Sequence, residues 1–208
     1  MRKNKFKNKF YVGIDTSLNN CAFSLLEYDF KNNDEINVYL IETEMFKLNK
    51  GDKEILRCNN FVKKINKKFK NNISYVMEGI FPTKFSSRKS IFNFSLAKGI
   101  IKTILTVNKC NYIEYYPQRW KKIIGITSVK DTAIMRFKDF FVNCNDFPQL
   151  LKNHHIIESV LMVIAYLGDS YGDRFYIFDR LKGYISLNQN SLNQNSLKQN
   201  NEKSKKKQ

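Results

Sequence analysis

The order of strand-like and helix-like patterns constrains the fold of this chain more than any other feature. Apolar and β-branched runs at Phe10 to Asp15, Cys21 to Tyr28 and Ile36 to Thr43 predict three consecutive strands, arranged as a meander. From Asp52 to Lys70, apolar residues recur every three or four positions between lysines. This spacing predicts an amphipathic helix that covers one face of a sheet.

The second half of the chain alternates between the two kinds of element. Ile73 to Met77, ended by Glu78, and Tyr112 to Tyr116 are predicted strands. The predicted helices are Ser90 to Val107, Lys130 to Phe141 and His154 to Leu167. The resulting order, βββαβαβαα, is typical of an α/β domain.

Both ends of the chain differ from this central region. Residues 1–9 form a basic arm without the apolar segment of a secretory signal. From Leu187, SLNQN-type repeats lead to a lysine-rich tip, a polar composition that cannot bury enough surface to fold. We therefore predict one domain at 10–186, a basic arm at 1–9 and a disordered tail at 187–208.

The charge of the chain indicates the kind of partner. Lys and Arg total 36 against 19 Asp and Glu, and the formal net charge of +17 attracts polyanions. Nucleic acid is the predicted partner, although AT-rich coding would also enrich lysine. For the tail, solvated filler and a loose contact with nucleic-acid phosphates are the two interpretations.

Cysteine usage and hydropathy indicate the compartment. The cysteines are scattered, without a C-x-x-C pair, so neither a zinc site nor a disulfide framework is predicted. The apolar run from Ile156 to Leu167 is interrupted by Glu158 and is shorter than the ~20 residues of a membrane span. We expect a protein without membrane association in a reducing cytoplasm, in a bacterial, phage or viral setting. The basic N-terminus leaves an organelle as the alternative.

Five polar residues lie where chemistry can be built, and two of them, His154 and His155, are alternatives to each other. Asp15 and Glu78 each close a predicted strand, so both carboxylates can emerge at the same sheet edge. His155 and Glu158 are three residues apart and share one helix face, and His154, four residues before Glu158, shares it too. Carboxylate oxygens are ligands that Mg²⁺ and Mn²⁺ prefer, and two such ions about 4 Å apart can activate water against a phosphodiester.

Each of these residues also has a purely structural interpretation. Asp15 can simply end a strand, Glu78 can occupy a solvated turn, and the two histidines can cap the last helix. Glu158 fits a structural role least well, because an unpaired charge just inside an apolar segment is costly. Periodicity leaves the choice between His154 and His155 open.

A basic segment follows Glu78. It interleaves Phe81 and Phe85 with Lys84, Arg88 and Lys89, as proteins that bind unpaired bases do. Its alternative interpretation is an ordinary lysine-rich loop with Phe85 in the core. For the later Phe92, Phe94 and Leu96, burial or a dimer contact is expected instead of DNA contact.

Several segments, in order, resemble the motifs of RuvC-type Holliday-junction resolvases. Tyr11 to Ser24 resembles the first-strand motif, Ile73 to Glu78 the second motif, and Leu96 to Gly99 the helix motif. Tyr116 to Lys122, followed by Lys130 and Asp131, resembles the segment with DNA-contacting lysines. His155 to Ala165 is similar to the C-terminal motif, in which two metal-binding residues lie three apart. The resemblance spans roughly Phe10 to Gly168.

This resemblance implies a function and a site. It implies a ribonuclease H-like α/β fold, a mixed five-stranded sheet with helices on both faces, and a homodimer that cleaves four-way DNA junctions in recombination and repair. The implied catalytic and metal-binding residues are Asp15, Glu78, His155 and Glu158, which hold two Mg²⁺ or Mn²⁺ ions per site. The resemblance thus selects His155, which would also position or deprotonate the attacking water.

The resemblance also implies DNA contacts. Phe81 matches an aromatic residue near the junction centre, and Lys121 and Lys130 match lysines that contact phosphates, although both can also be ordinary solvated lysines. Two departures are notable. The last acid of the family is more often Asp, whereas Glu158 is one methylene longer. The next-to-last ligand of the family, which is His155 here, is often Asp too, although His occurs in some members.

Two other functions are compatible with parts of the pattern. A catalytically inactive protein on the same fold would bind branched DNA without nicking it. An ATP-binding domain of the sugar-kinase or actin type also has a Gly-Ile-Asp-x-Ser segment. It normally needs a second such domain and a second Gly-rich loop, which this short basic chain does not contain.

Overall fold

The structure is a computed structural model of the 208-residue chain. It describes residues 10–31, 35–69, 72–79, 87–127, 129–171 and 181–185. The predicted N-terminal arm and C-terminal tail lie outside these residues, so the predicted domain boundaries stay predictions.

The described residues form the predicted strands and helices in the predicted order, together with one further strand and two short helices that were not predicted. The strands are β1 (Phe10–Asp15), β2 (Cys21–Lys31), β3 (Glu35–Phe46), β4 (Ile73–Glu78), β5 (Asn111–Tyr115) and β6 (Leu181–Ile185). The helices are α1 (Asp52–Lys68), α2 (Arg88–Val107), α3 (Pro117–Ile124), α4 (Lys130–Phe140), α5 (Pro148–Leu151) and α6 (His154–Tyr171). Short 3₁₀ turns occur at Leu48–Lys50 and Cys144–Asp146.

The described strands form one mixed sheet. Its order is β5-β4-β1-β2-β3-β6, in which β2 runs antiparallel to both neighbours and the other pairs are parallel. The predicted meander of β1, β2 and β3 is therefore confirmed. Because β1, β4 and β5 run in the same direction, their carboxyl ends meet at one edge of the sheet.

The sheet has six strands among the described residues, so the predicted number of five was wrong. The additional strand, β6, pairs with the first half of β3. Asn143 holds it from the other side, since its amide donates to the carbonyl of Ile185 at 2.9 Å and accepts from the Ile185 N–H at 2.8 Å. The five residues of β6 have glycine at their centre and show little alternation of apolar and polar side chains. The strand therefore depends on its tertiary contacts and not on a local sequence pattern.

Helices cover both faces of the sheet, as predicted. On one face, α1 and α2 bury Val62, Ile101 and Leu105 against β1 and β4 residues that include Val12 and Tyr75. On the opposite face, α3, α4 and α6 enclose a second core. That core includes Val76, Trp120, Phe137, Val160 and Ile164.

Helix α3 was missing from the prediction. It has only eight residues, too few to establish a helical period. Its boundaries are nevertheless encoded locally, because Pro117 occupies the first turn and Gly125 adopts the left-handed conformation that ends a helix, with φ of 75°. This short helix carries Trp120 and Lys121 to the edge where β1 and β4 end.

Helix α2 is, by length and composition, apolar enough to cross a membrane. Its inner side, with Ala97, Ile101 and Ile104, nevertheless packs in the core beneath α1. Lys98, which is buried, pairs with Glu114 on β5. These contacts make α2 a layer helix of the α/β fold, with one side left exposed.

Candidate active site

Two buried carboxylates meet at the carboxyl edge of the sheet. Asp15 ends β1 and Glu78 ends the neighbouring parallel strand β4, and the register that pairs Ile14 with Met77 places them side by side. Asp15 is 6% exposed and Glu78 is 8% exposed. The prediction that these two carboxylates emerge together is confirmed by the pairing of the strands.

Strand alternation sends both carboxylates to the same side of the sheet. Tyr11 and Val76 belong to the core under α6, and side chains two residues apart on a strand share a face. Asp15 lies four residues after Tyr11, and Glu78 lies two residues after Val76. Both therefore point toward the layer that contains α6.

The first turn of α6 lies directly above Asp15. Nδ1 of His155 is 2.7 Å from Oδ2 of Asp15, a contact that joins residues 140 positions apart. His154 makes no such contact with Asp15, and its Nε2 lies 3.6 Å from Oε1 of Glu158. The structure therefore brings His155, and not His154, to the carboxylate pair. Periodicity alone left the choice between the two histidines open.

Close packing of α6 on β1 makes this contact possible. A Cβ atom on Gly13 would lie 1.9 Å from the carbonyl oxygen of Ser159, so only glycine allows the helix to approach this strand. The hydroxyls of Ser24 and Ser159 lie 2.5 Å apart in the same buried layer, and Ser159 also donates to the carbonyl of Ile156 at 2.8 Å. This buried contact between β2 and α6 was not predicted from the sequence, where a serine directly after Glu158 was the available signal.

Glu158 has a partner that sequence analysis assigned to another role. Nζ of Lys121 donates to Oε1 of Glu158 at 2.8 Å, so this lysine is part of the candidate site. The Lys121 side chain is 28% exposed and that of Glu158 is 13% exposed. The lysine thus satisfies a charge that would otherwise be costly at the start of an apolar helix.

Trp120, the residue before Lys121, is a second component that sequence analysis did not select. It is 1% exposed and belongs to the core under α6. Burial raises the pKa of Glu78, and the nearby indole N–H of Trp120, which makes no hydrogen bond to a described residue, opposes that rise only weakly. Trp120 is the single tryptophan of the chain, which was the available signal.

The carboxylates repel one another in a site of low polarity. Burial raises the pKa of Asp15, and the charge of Glu158 adds to the effect, while the hydrogen bond and charge of His155 oppose it. Burial also raises the pKa of Glu78 to about 8, with the charges of Asp15 and Glu158 as further causes. A cation placed between these groups would remove the repulsion.

The donor types of this site fit a hard divalent cation, because carboxylate oxygens and an imidazole nitrogen are suitable ligands. Within the described residues, however, no three His, Cys, Asp or Glu side chains are grouped closely enough to hold an ion as they stand. Two candidate ligands are already engaged, Asp15 by His155 and Glu158 by Lys121. Metal binding would therefore require these side chains to rearrange.

The other predicted DNA contacts are distributed unevenly. Arg88 and Lys89 are exposed in the first turn of α2. Phe81 and Lys84 lie outside the described residues, as does the side chain of Lys130, whose backbone begins α4. The DNA-contact assignment of all five residues stays a prediction.

The layered sheet and its edge of acidic groups define the class: this is an α/β protein with a ribonuclease H-like fold. Within that class, its fold is that of RuvC. The structure of Thermus thermophilus RuvC in complex with a Holliday junction substrate aligns with a TM-score of 0.57 and 10% identity, covering 79% of this chain and 97% of that one. A second Thermus thermophilus RuvC structure gives a TM-score of 0.57 and 12% identity, covering 78% and 96%.

No protein-family model and no curated protein matches the chain. The fowlpox virus Holliday junction resolvase aligns over 77% of this chain and 99% of its own, with 18% identity and a TM-score of 0.45.

Proposed function

We propose that this protein is a metal-dependent endonuclease that resolves four-way DNA junctions in recombination and repair. The observation that carries the proposal is the placement of Asp15 and Glu78 side by side under a helix that brings His155 to the pair. The RuvC fold supports it, since one protein of this fold has been solved with a Holliday junction. The net charge of +17 suits a DNA substrate.

The proposed reaction is hydrolysis of a phosphodiester, leaving 5′-phosphate and 3′-hydroxyl ends. Asp15, Glu78, His155 and Glu158 would hold two Mg²⁺ or Mn²⁺ ions. When bound, such ions supply activation of water and neutralisation of charge on the leaving 3′ oxygen. In the structure, Asp15 orients the imidazole of His155. An imidazole that contacts Asp15 through one nitrogen and binds an ion through the other has no free lone pair, so His155 would position the attacking water and accept its proton only in a state in which it is not a metal ligand.

Substrate contacts would come from the positive residues around this edge. Arg88 and Lys89 lie at the start of α2, on the chain segment that leaves Glu78. We assign them, together with Phe81, Lys84, Lys121 and Lys130, to the DNA interface. Phosphate contacts of this kind position the duplex arms without reading sequence.

Cleavage of a synthetic four-way junction, compared with a linear duplex of the same sequence, is the direct test. Wild-type protein should nick the junction in Mg²⁺ or Mn²⁺, and Asp15→Asn should abolish nicking while junction binding persists. Asp139→Asn is a matched control, because Asp139 is an exposed acid on α4. Wild-type binding without nicking in either metal would identify an inactive junction-binding protein, whereas tight ATP binding with no junction binding would favour the sugar-kinase or actin class.

Two active sites acting on one junction require a dimer, and α2 offers a surface for it. Its exposed stripe carries no charge. The stripe consists of Phe92, Ser95, Leu96, Gly99, Thr103, Thr106 and Val107. Phe92 and Val107, at its two ends, are 66% and 69% exposed. A face without charge is poorly suited to DNA and well suited to another protein surface.

This stripe suits a second copy of the same chain. Large residues lie at the two ends of the stripe, and Gly99, which has no side chain, lies near its centre. No atom of the same chain lies within 4 Å of the place that a Cβ of Gly99 would occupy. Two antiparallel copies of the helix can therefore cross closely at Gly99. The adjacent Lys98 and Lys102 are both paired with Glu114. That pairing reduces the repulsion expected between two chains of net charge +17.

The dimer is tested by light scattering after size-exclusion chromatography. Leu96→Lys should convert a dimer into a monomer, and Val142→Lys, at an exposed apolar residue outside the stripe, should leave it unchanged. A monomeric wild-type protein, or dimerisation unaffected by Leu96→Lys, would contradict this surface.

We place the protein in a reducing cytoplasm of a bacterial, phage or viral system, a setting compatible with four cysteines that form no disulfide.

A further inference from the structure

Lys121 occupies an unusual position for a DNA-contacting lysine. Its amine donates to Oε1 of Glu158 at 2.8 Å, and Nε2 of His154 lies 3.6 Å from the same oxygen. The carboxylate that is proposed to bind a cation is therefore already occupied by the ammonium group of the chain itself. The Lys121 side chain is still 28% exposed, so it also reaches the surface that would meet DNA.

We infer that Lys121 is a switch that alternates between Glu158 and a DNA phosphate, and that a divalent cation at Glu158 drives the change. This inference rests on the proposed function, because it takes Glu158 as a metal ligand and DNA as the substrate. A divalent cation and an ammonium group on the same carboxylate repel each other strongly in a partly buried site. The ammonium, which is the weaker cation and lies on a flexible stem, leaves.

The surroundings of Lys121 allow the side chain to move while its helix stays in place. Trp120 is buried in the core, and Arg119 forms an ion pair of 2.5 Å with Asp169 on α6. Both contacts fix α3 against α6. Nζ of Lys121 lies 5.0 Å from the centre of the Trp120 ring. The amine therefore lies beside a fixed indole, and only the lysine side chain has to move.

The switch couples metal binding to DNA binding. Without DNA, Lys121 holds Glu158 and keeps the charge of that carboxylate balanced. A phosphate that takes the ammonium releases Glu158 for a cation, and a cation at Glu158 releases Lys121 for a phosphate. Because such coupling is reciprocal, DNA raises the affinity for the cation by the same factor as the cation raises the affinity for DNA.

Lysine reactivity tests the first half of this inference on the wild-type protein without DNA. The rate of acetylation of Lys121, measured by mass spectrometry, should rise by about threefold or more when Ca²⁺ is added, since an amine released from its carboxylate partner is more accessible to the reagent. Lys122 is the internal control, because it is the exposed neighbour on the same short helix. An equal rate at Lys121 with and without bound Ca²⁺ would overturn the switch.

The salt dependence of junction binding tests the second half. Adding Ca²⁺ should steepen the slope of log affinity against log salt by about one unit in the wild-type protein, which corresponds to one additional phosphate contact. Lys121→Met should remove this increment and bind Ca²⁺ more tightly by calorimetry, whereas Lys122→Met should behave as wild type. An increment that persists in Lys121→Met would assign the contact to another residue and overturn the proposal.

The same measurements separate this inference from the proposed function. If Ca²⁺ binds, and Asp15→Asn weakens that binding, but neither Lys121 reactivity nor the salt slope changes, the switch is wrong and the metal site stands. If calorimetry detects no binding of Ca²⁺, Mg²⁺ or Mn²⁺ with or without junction DNA, both the metal site and the switch are wrong.

Discussion

His155 contacts Asp15 through Nδ1 at 2.7 Å, whereas the adjacent His154 lies near Glu158, with its Nε2 3.6 Å from that carboxylate. Consecutive residues on a helix differ in direction by about 100°. The two imidazoles therefore face different acids, and only one of them is placed on the carboxylate pair at the sheet edge.

This difference predicts unequal roles for the two histidines. His155→Ala should lower the rate of junction cleavage by about 10²-fold or more, as expected for loss of a group that transfers a proton. His154→Ala should change the rate little. His155→Asp, which restores an oxygen ligand, should retain measurable nicking that depends on the metal. Equal tolerance of alanine at His155 and Glu158 would contradict the set of four ligands.

Gly13 is predicted to be essential for the geometry of the site. Alanine there would place Cβ 1.9 Å from the backbone of Ser159, so α6 must shift away from β1 and carry His155 away from Asp15. Gly13→Ala should lower the melting temperature and reduce cleavage together. We expect the free energy of unfolding to fall by about 1–3 kcal/mol, as it does when other cores are overpacked.

Ser159→Ala is the matched control for Gly13→Ala. It removes the hydroxyl that contacts Ser24 but leaves the backbone of α6 in place. Its cost should be near 1 kcal/mol, typical of one hydrogen bond, with cleavage retained. Normal stability and activity of Gly13→Ala would mean that the contact between α6 and β1 is not tight.

The carboxyl edge of the sheet was predictable because strand order and strand ends are encoded locally. Apolar runs that end in Asp15 and Glu78 identify the two positions, and parallel pairing of β1 with β4 makes them neighbours. The choice of His155 over His154 was not predictable from periodicity, since it depends on how α6 rotates and packs on Gly13. Family resemblance supplied that choice.

The role of Lys121 and the strand β6 were missed for a different reason. The pair between Lys121 and Glu158 joins α3 to α6 across 37 residues, and a lysine in a chain with 36 basic residues gives no local signal of such a partner. Likewise, β6 exists because β3 and Asn143 hold it. Contacts between distant segments, not local propensity, determine both features.

Glu78 is predicted to make stability depend on pH in the absence of divalent cations. Its pKa is raised from 4.5 to about 8, so the folded protein keeps a proton that the unfolded chain releases in this interval. Stability is therefore highest below about pH 4.5, considering this group alone, and falls as pH rises toward 8. Glu78→Gln has no charge to bury and should melt at a higher temperature than wild type at pH 8.

Melting temperatures at pH 5 and of a second variant serve as controls for the Glu78→Gln prediction. At pH 5 the difference between Glu78→Gln and wild type should largely disappear, and Asp139→Asn, which changes an exposed acid, should follow wild type at both values. If the difference in melting temperature between Glu78→Gln and wild type is the same at pH 5 and pH 8, burial does not raise the pKa of the Glu78 carboxyl.

The tail and β6 are predicted to contribute differently to folding. Deleting residues 187–208 should leave the melting temperature and cleavage unchanged, because β6 ends at Ile185. Deleting residues 181–208 should lower the melting temperature clearly, since it removes the partner strand of β3, both hydrogen bonds of Asn143 and the stacking of Tyr184 on Tyr39. Insoluble protein after the shorter deletion would contradict the domain boundary at 186.

Glu158→Asp tests whether the longer acid belongs to this site. The RuvC-type motif that this segment resembles more often has Asp here, and shortening the side chain withdraws the carboxylate by about 1.5 Å, one carbon–carbon bond. In this chain the carboxylate meets Lys121 at 2.8 Å, so the longer side chain is matched to its partner on α3. We therefore expect Glu158→Asp to cleave junctions more slowly than wild type. The same substitution in a Lys121→Met background should have a different effect, because residues in direct contact do not act additively. If Glu158→Asp instead cleaves faster, Glu158 is a drifted remnant of an ancestral Asp, and the pair with Lys121 is a consequence of that drift.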